Sequence, residues 1–173
     1  ENVVKREFNG QPAYNVVVID LTYVRVAGKW NYICILIDLF NREIIGFSVG
    51  RHKDATLVLQ AFRSVKTGLS NIAIFHTDRR NEFKSLLIEN ILDTFKIQRS
   101  LSKKGGSYDN VVAESTYKVI KTEFVKQHNF KTLRELEIKL ADYIHWYNNI
   151  KIHGSLNYLA PKLFRKSRLI KIV

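Results

Sequence analysis

The chain has 173 residues, 46% of them apolar and 25% charged, which suits one soluble globular domain with a sizeable core. Lys and Arg outnumber Asp and Glu by 28 to 16, and the net charge of +12 points to a polyanionic partner, nucleic acid first. A single cysteine excludes an intrachain disulfide, and no apolar run is long enough to span a membrane. On charge alone a basic protein of ribosomal type stays open. The start carries no signal-peptide pattern, and a chain without methionine reads as a piece of something longer.

Three apolar, β-branched stretches come first, over residues 16–24, 30–40 and 43–50. Turns at Ala27-Gly28 and Asn41-Arg42 join them, so they predict an antiparallel meander. Cys34 sits in the second and reads as a small buried hydrophobe. The period then changes. Asp54 can cap a helix that buries Leu57, Val58, Ala61, Phe62 and Val65 and stops at Gly68. Residues 71–76 predict a fourth strand. Phe83, Leu87, Ile91 and Phe95 recur every four residues and predict a second helix. Residues 96–102 predict a fifth, edge-like strand. "SKKGGS" is the most loop-like segment.

A helix is expected from Asp109, with Ala113, Tyr117, Ile120 and Phe124 on one face. Another starts at Thr132, where "TLRE" is a capping box with Glu135 as its second member. Its apolar stripe is Leu133, Leu136, Leu140, Tyr143 and Tyr147. From Lys162 to Lys171 the tail has five basic residues and no acid. The predicted fold is α/β: a mixed five-stranded sheet, a three-strand antiparallel meander plus two further strands, with helices on both faces. No linker or repeat divides residues 1–173, so a single domain is expected.

Three acids occupy unusual positions. Asp20 lies in the middle of "VVVIDLTYV", where an unpartnered carboxylate costs several kcal/mol. Asp78 follows the fourth strand, and Glu114 lies in the first turns of "DNVVAESTYKVIK". A sheet can set Asp20 beside the end of the fourth strand, and the helix can bring Glu114 across. Three carboxylates with open positions suit Mg²⁺ or Mn²⁺, and a pair of such ions serves phosphoryl transfer. Each acid also has a plainer reading. Asp78 can cap the turn before the next helix. Glu114 can pair with Lys118 for a few tenths of a kcal/mol.

The phrases "DLTYV…GKWNYICILIDLFNREIIGFS", "FHTDRRNEF", "GGSYDNVVAESTYKVIKTE" and "YIHWYNNIKIHGSLNYLAP" resemble the integrase core of bacterial insertion-sequence transposases. These are DDE recombinases related to retroviral integrases. The likeness runs over residues 8–164, and 35 residues separate Asp78 from Glu114, the spacing of that family. The resemblance implies a ribonuclease-H-like fold. It also implies cleavage of double-stranded DNA at element ends and transfer of a 3′-hydroxyl into target DNA, with two divalent ions. Asp20, Asp78 and Glu114 are then the catalytic metal ligands. His76 shapes the site, or is a satisfied histidine at a strand end. Asn110 orients Glu114, or caps its helix. A homo-oligomer, no membrane and a bacterial cytoplasm are implied. The alternatives are a ribonuclease-H-like nuclease and a catalytically decayed DNA-binding module.

Lys118 and Lys121 lie four and seven residues after Glu114, on one stripe with it. In integrases, lysines at these offsets meet DNA; a solvated helix face is the plain alternative. Arg79, Arg80, Lys103 and Lys104 flank the expected site and complete the candidate phosphate contacts. Tyr143, Trp146 and Tyr147 can stack on bases, though their helical spacing favours packing. Two departures stand out. Arg80 replaces a glycine usual in the family, which puts the aim of Asp78 in doubt. A tryptophan often found before the first aspartate is missing, with Val16, Val17 and Val18 in that region. The helix-turn-helix expected ahead of such a core is absent from this sequence.

Overall fold

The computed structural model describes residues 12–78, 83–102 and 111–169. Five strands form one sheet in the order β3-β2-β1-β4-β5. They are β1 (Val16–Val26), β2 (Lys29–Asp38), β3 (Ile44–Gly50), β4 (Ile74–Thr77) and β5 (Gln98–Leu101). β1, β2 and β3 pair antiparallel as expected, while β4 joins β1, and β5 joins β4, in parallel. Parallel neighbours need crossovers, and helices supply them. α1 (Ala55–Arg63) leads into β4, and α2 (Leu86–Thr94) leads into β5. α3 (Val111–Glu123), α4 (Leu133–Asn149) and α5 (Pro161–Leu169) follow the sheet.

Strand side chains alternate between faces. Val16, Val18 and Val24 of β1 meet Ile33, Ile35 and Ile37 of β2 beneath α3 and α4, which contribute Ala113, Ile120, Leu136 and Leu140. Val17, Ile19 and Leu21 meet Cys34 and Leu36 on the other face, beneath Val58 and Phe62 of α1 and Ile88 and Leu92 of α2. The sheet is thus covered on both faces. None of the helices among the described residues is long and apolar enough to cross a membrane.

The second predicted helix is out of phase. Leu87 and Phe95 were expected to be buried, but both are exposed; Ile88 and Leu92 are buried instead. The cause is local. Ser85, not a residue near Phe83, is the N-cap: its side chain accepts the Ile88 N–H, so Phe83 packs from the turn ahead of the helix. The basic tail, for which the sequence predicts no element, is helical over residues 161–169. Pro161 opens α5, where a missing N–H costs nothing. Arg165 then fastens α5 to the β2–β3 turn, pairing with buried Asp38 at 3.0 Å and Glu43 at 2.9 Å.

Candidate active site

Asp20 belongs to β1, the central strand of the sheet, with β2 on one side and β4 on the other. It is only 8% exposed, and its Oδ1 accepts the N–H of Leu21 at 2.7 Å. Across the ladder it pairs with Ile35. The hydroxyl of Tyr117, on α3, donates to the main-chain oxygen of Asp20 and accepts the Ile35 N–H at 3.0 Å. Tyr117 comes one helical turn after Glu114. The helix that carries Glu114 is therefore hydrogen-bonded to the strand at Asp20 itself.

Asp20 and Glu114 line one open cleft of about 710 Å³, together with Tyr23, Lys53, Lys118 and Lys121. Glu114 is exposed, and no ion pair joins it to Lys118, so the helix-pair reading of Glu114 fails. Lys121 sets its ammonium 4.5 Å from the centre of the Tyr23 ring. Lysines beside two carboxylates form a site of mixed sign, suited to a phosphate held near a cation.

Asp78 follows the last residue of β4. Val18 and His76 are the last paired residues of β1 and β4, and Asp20 and Asp78 each come two residues later. The two aspartates thus issue from neighbouring parallel strands at the same level. Ser85 caps α2, and the turn that Asp78 was expected to cap lies outside the described residues. Asp78 is half-buried and does not line the cleft that Asp20 and Glu114 share. Among the described residues, no three His, Cys, Asp or Glu side chains lie close enough together to hold a metal ion.

His76 is fully buried, and its Nδ1 lies 2.9 Å from the Ser100 hydroxyl on β5. That is the satisfied strand-end histidine, and it ties β4 to β5 behind Asp78. Tyr147 is buried in the core beneath α4 and Tyr143 packs against it, as their spacing favoured, whereas Trp146, expected to pack with them, is 38% exposed. Arg79, Arg80, Lys103, Lys104 and Asn110 lie outside the described residues, as does the loop centred on Gly105-Gly106. Among the cleft residues that escaped the sequence reading are Lys53 and Tyr117. Lys53 has no periodic or motif signal, and Tyr117 looks like any apolar-face aromatic until its hydroxyl is located.

Two family models, each described as an integrase core domain, match this chain over residues 11–107 and 114–169. The chain belongs to the integrase core family. The second match begins at Glu114 itself. This integrase core is 31% identical over 95% of its length to the transposase of insertion sequence element IS904 of Lactococcus lactis. It is 30% identical, again over 95%, to the putative transposase InsK of element IS150 of Escherichia coli. It spans 66% of the former and 59% of the latter, so it corresponds to part of those proteins.

Among solved structures, the HTLV-2 integrase catalytic core domain in complex with magnesium (trimeric form) superposes with a TM-score of 0.72 at 13% identity, covering 90% of this chain and 98% of that one. The BIV integrase catalytic core domain gives 0.66 at 15%, covering 92% and 99%. The mixed five-stranded sheet with helices on both faces is thus the ribonuclease-H-like fold of integrase catalytic cores, as the sequence led us to expect.

Proposed function

We propose that this integrase core catalyses divalent-metal-dependent DNA strand cleavage and 3′-OH strand transfer in transposition, with Asp20, Asp78 and Glu114 as its carboxylates. The observation that carries this reading is the placement of Asp20. An acid inside the central strand of an integrase core opens, with Glu114, into a cleft rimmed by three lysines. A core strand holds a ligand more rigidly than a loop does.

The donor set is all carboxylate oxygen, which fits Mg²⁺ or Mn²⁺ and disfavours softer metals. The magnesium of the HTLV-2 neighbour points the same way. When bound, two such ions activate the attacking oxygen and stabilise the leaving one. Asp20 supplies the fixed carboxylate. Asp78 approaches from the adjacent strand, and Glu114, exposed on the first turn of α3, turns toward both in the active complex. Lys53, Lys118 and Lys121 bind phosphates of the DNA strand, with Arg79, Arg80, Lys103 and Lys104 as further contacts. His76 holds the end of β4 through Ser100, and Asn110 orients Glu114.

Joining two element ends to one target asks for at least two active sites, so the working assembly is a homo-oligomer on DNA. The HTLV-2 core domain described in dimeric and trimeric forms supports that reading. The deciding experiment is a Mg²⁺- or Mn²⁺-dependent strand-transfer assay on the full-length transposase with its own element ends. Asp20→Asn, Asp78→Asn and Glu114→Gln should each abolish joined product while leaving DNA binding intact. Undiminished joining in any of them removes that residue from the triad. Cuts without joins would indicate a nuclease instead.

A further inference from the structure

The far end of the β1–β2 hairpin carries an arrangement that no catalytic role uses. Arg25 pairs with Trp30 across the hairpin, and Tyr23 with Tyr32, so all four side chains share one face. Nearer the middle of the sheet this same face is core, where Val17, Ile19 and Leu21 lie under α1. At the tip the cover stops. β4 pairs with β1 only at Val16, Val17 and Val18, and β3 ends opposite Tyr32. Tyr23 is therefore 55% exposed and Trp30 53%.

The two rings meet edge to face with centroids 5.0 Å apart. The Arg25 guanidinium lies 4.7 Å from the centre of the Trp30 ring, and the Lys121 ammonium 4.5 Å from that of Tyr23. Each exposed aromatic thus has its own cation. A second copy of this surface would set like charges against each other, in a chain whose net charge is already +12. An unpaired nucleic-acid strand fits better, because its bases need π surfaces and its phosphates need cations.

We propose that Tyr23 and Trp30 form a stacking platform for unpaired nucleotides of single-stranded DNA, with Arg25 and Lys121 holding the flanking phosphates. Tyr23 also lines the cleft that contains Asp20 and Glu114. A strand on the platform therefore runs to the mouth of that cleft, as an opened DNA end would beside its scissile phosphate. Only this last placement rests on the catalytic reading; the binding does not.

The test is a titration of the chain with a short oligothymidylate in EDTA, read by tryptophan fluorescence. Trp146→Phe removes the other tryptophan, so the signal reports Trp30 alone. Stacking should quench it. By the anisotropy of a dye-labelled oligonucleotide, which needs no tryptophan, Trp30→Leu and Tyr23→Leu should each weaken single-strand binding about tenfold, with blunt duplex binding changed by no more than about twofold. Trp30→Phe, which keeps an aromatic face and guards against misfolding as the cause, should retain most of the affinity. Unchanged single-strand affinity in the leucine variants overturns the proposal, as does an equal loss on duplex. Self-association of the wild type that Trp30→Leu abolishes, with DNA affinity intact, makes the patch a protein interface and also overturns it. The assay uses no metal and no strand transfer, so an inactive triad leaves its outcome unaffected.

Discussion

The Tyr117 hydroxyl spans the Asp20–Ile35 pair of the β1–β2 ladder, donating to the Asp20 carbonyl and accepting the Ile35 N–H. Tyr117→Phe removes a buried hydroxyl that reinforces this ladder pair, a loss of about 0.5–1.5 kcal/mol for a hydrogen bond. Urea unfolding should show it as a lowered midpoint at an unchanged slope. Because the bond also fixes α3 against β1 at Asp20, strand transfer by the full-length protein should fall further than stability alone explains.

Arg165 pairs with both buried carboxylates, Asp38 and Glu43, and it also donates to the Asn41 side chain at 3.1 Å. Arg165→Met keeps the volume and removes the charge, leaving two carboxylates together under α5. Removing one partner of such a buried cluster costs about 3–5 kcal/mol. Chemical unfolding at neutral pH should register that loss, and α5 should become the first site of proteolysis.

Asp38 also sets a pH dependence. Burial raises its pKa above the ordinary 3.8; the N–H groups of Phe40 and Tyr14 and the Arg165 charge pull it back only in part, and Glu43 adds to the rise. The folded state therefore holds this proton more tightly than the unfolded chain. As pH rises from the ordinary carboxylate value through the folded pKa, the Asp38 contribution to stability falls; above it the contribution is constant. Asp38→Asn has no such proton. The stability of wild type minus variant should decline with rising pH across that window, and a flat difference would rule the titration out.

Much of the fold was legible because it is local. The meander follows from three β-branched runs with short turns, and the Thr132 cap was readable from "TLRE": its hydroxyl accepts the Glu135 N–H at 3.0 Å. The phase of α2 was not, because four-residue spacing from Phe83 ignored Ser85 as the start. Nor was α5, because its anchor is the meeting of Arg165 with Asp38 and Glu43 across the fold. In the site, Asp20 betrayed itself by its setting in an apolar strand. Lys53 and Tyr117 depend on tertiary proximity, which periodicity does not carry.

The turn joining β1 to β2 holds a modest strain. Its two residues, Ala27 and Gly28, have φ of 47° and 77°, the conformation that favours Asn-Gly in two-residue hairpins. Alanine pays about 1–2 kcal/mol for the left-handed region, whereas asparagine tolerates it better. Ala27→Asn should raise stability by about 0.5–1 kcal/mol. Thermal unfolding checks this, and because the turn closes the hairpin bearing Tyr23 and Trp30, DNA binding should be preserved.

Lys118 and Lys121 share the cleft with Glu114, and their assignment to phosphate makes a quantitative demand. Each phosphate contact releases a condensed counterion, so the logarithm of affinity falls with the logarithm of salt in proportion to the number of contacts. Lys118→Ala and Lys121→Ala should each weaken duplex binding at all sequences alike and reduce the salt slope by about 1. The double variant should reduce it by about 2, since the two contacts are separate. On single strands Lys121→Ala should cost more than Lys118→Ala, because Lys121 also sits over the Tyr23 ring. A salt slope that does not move in either variant would return both lysines to an ordinary solvated helix face.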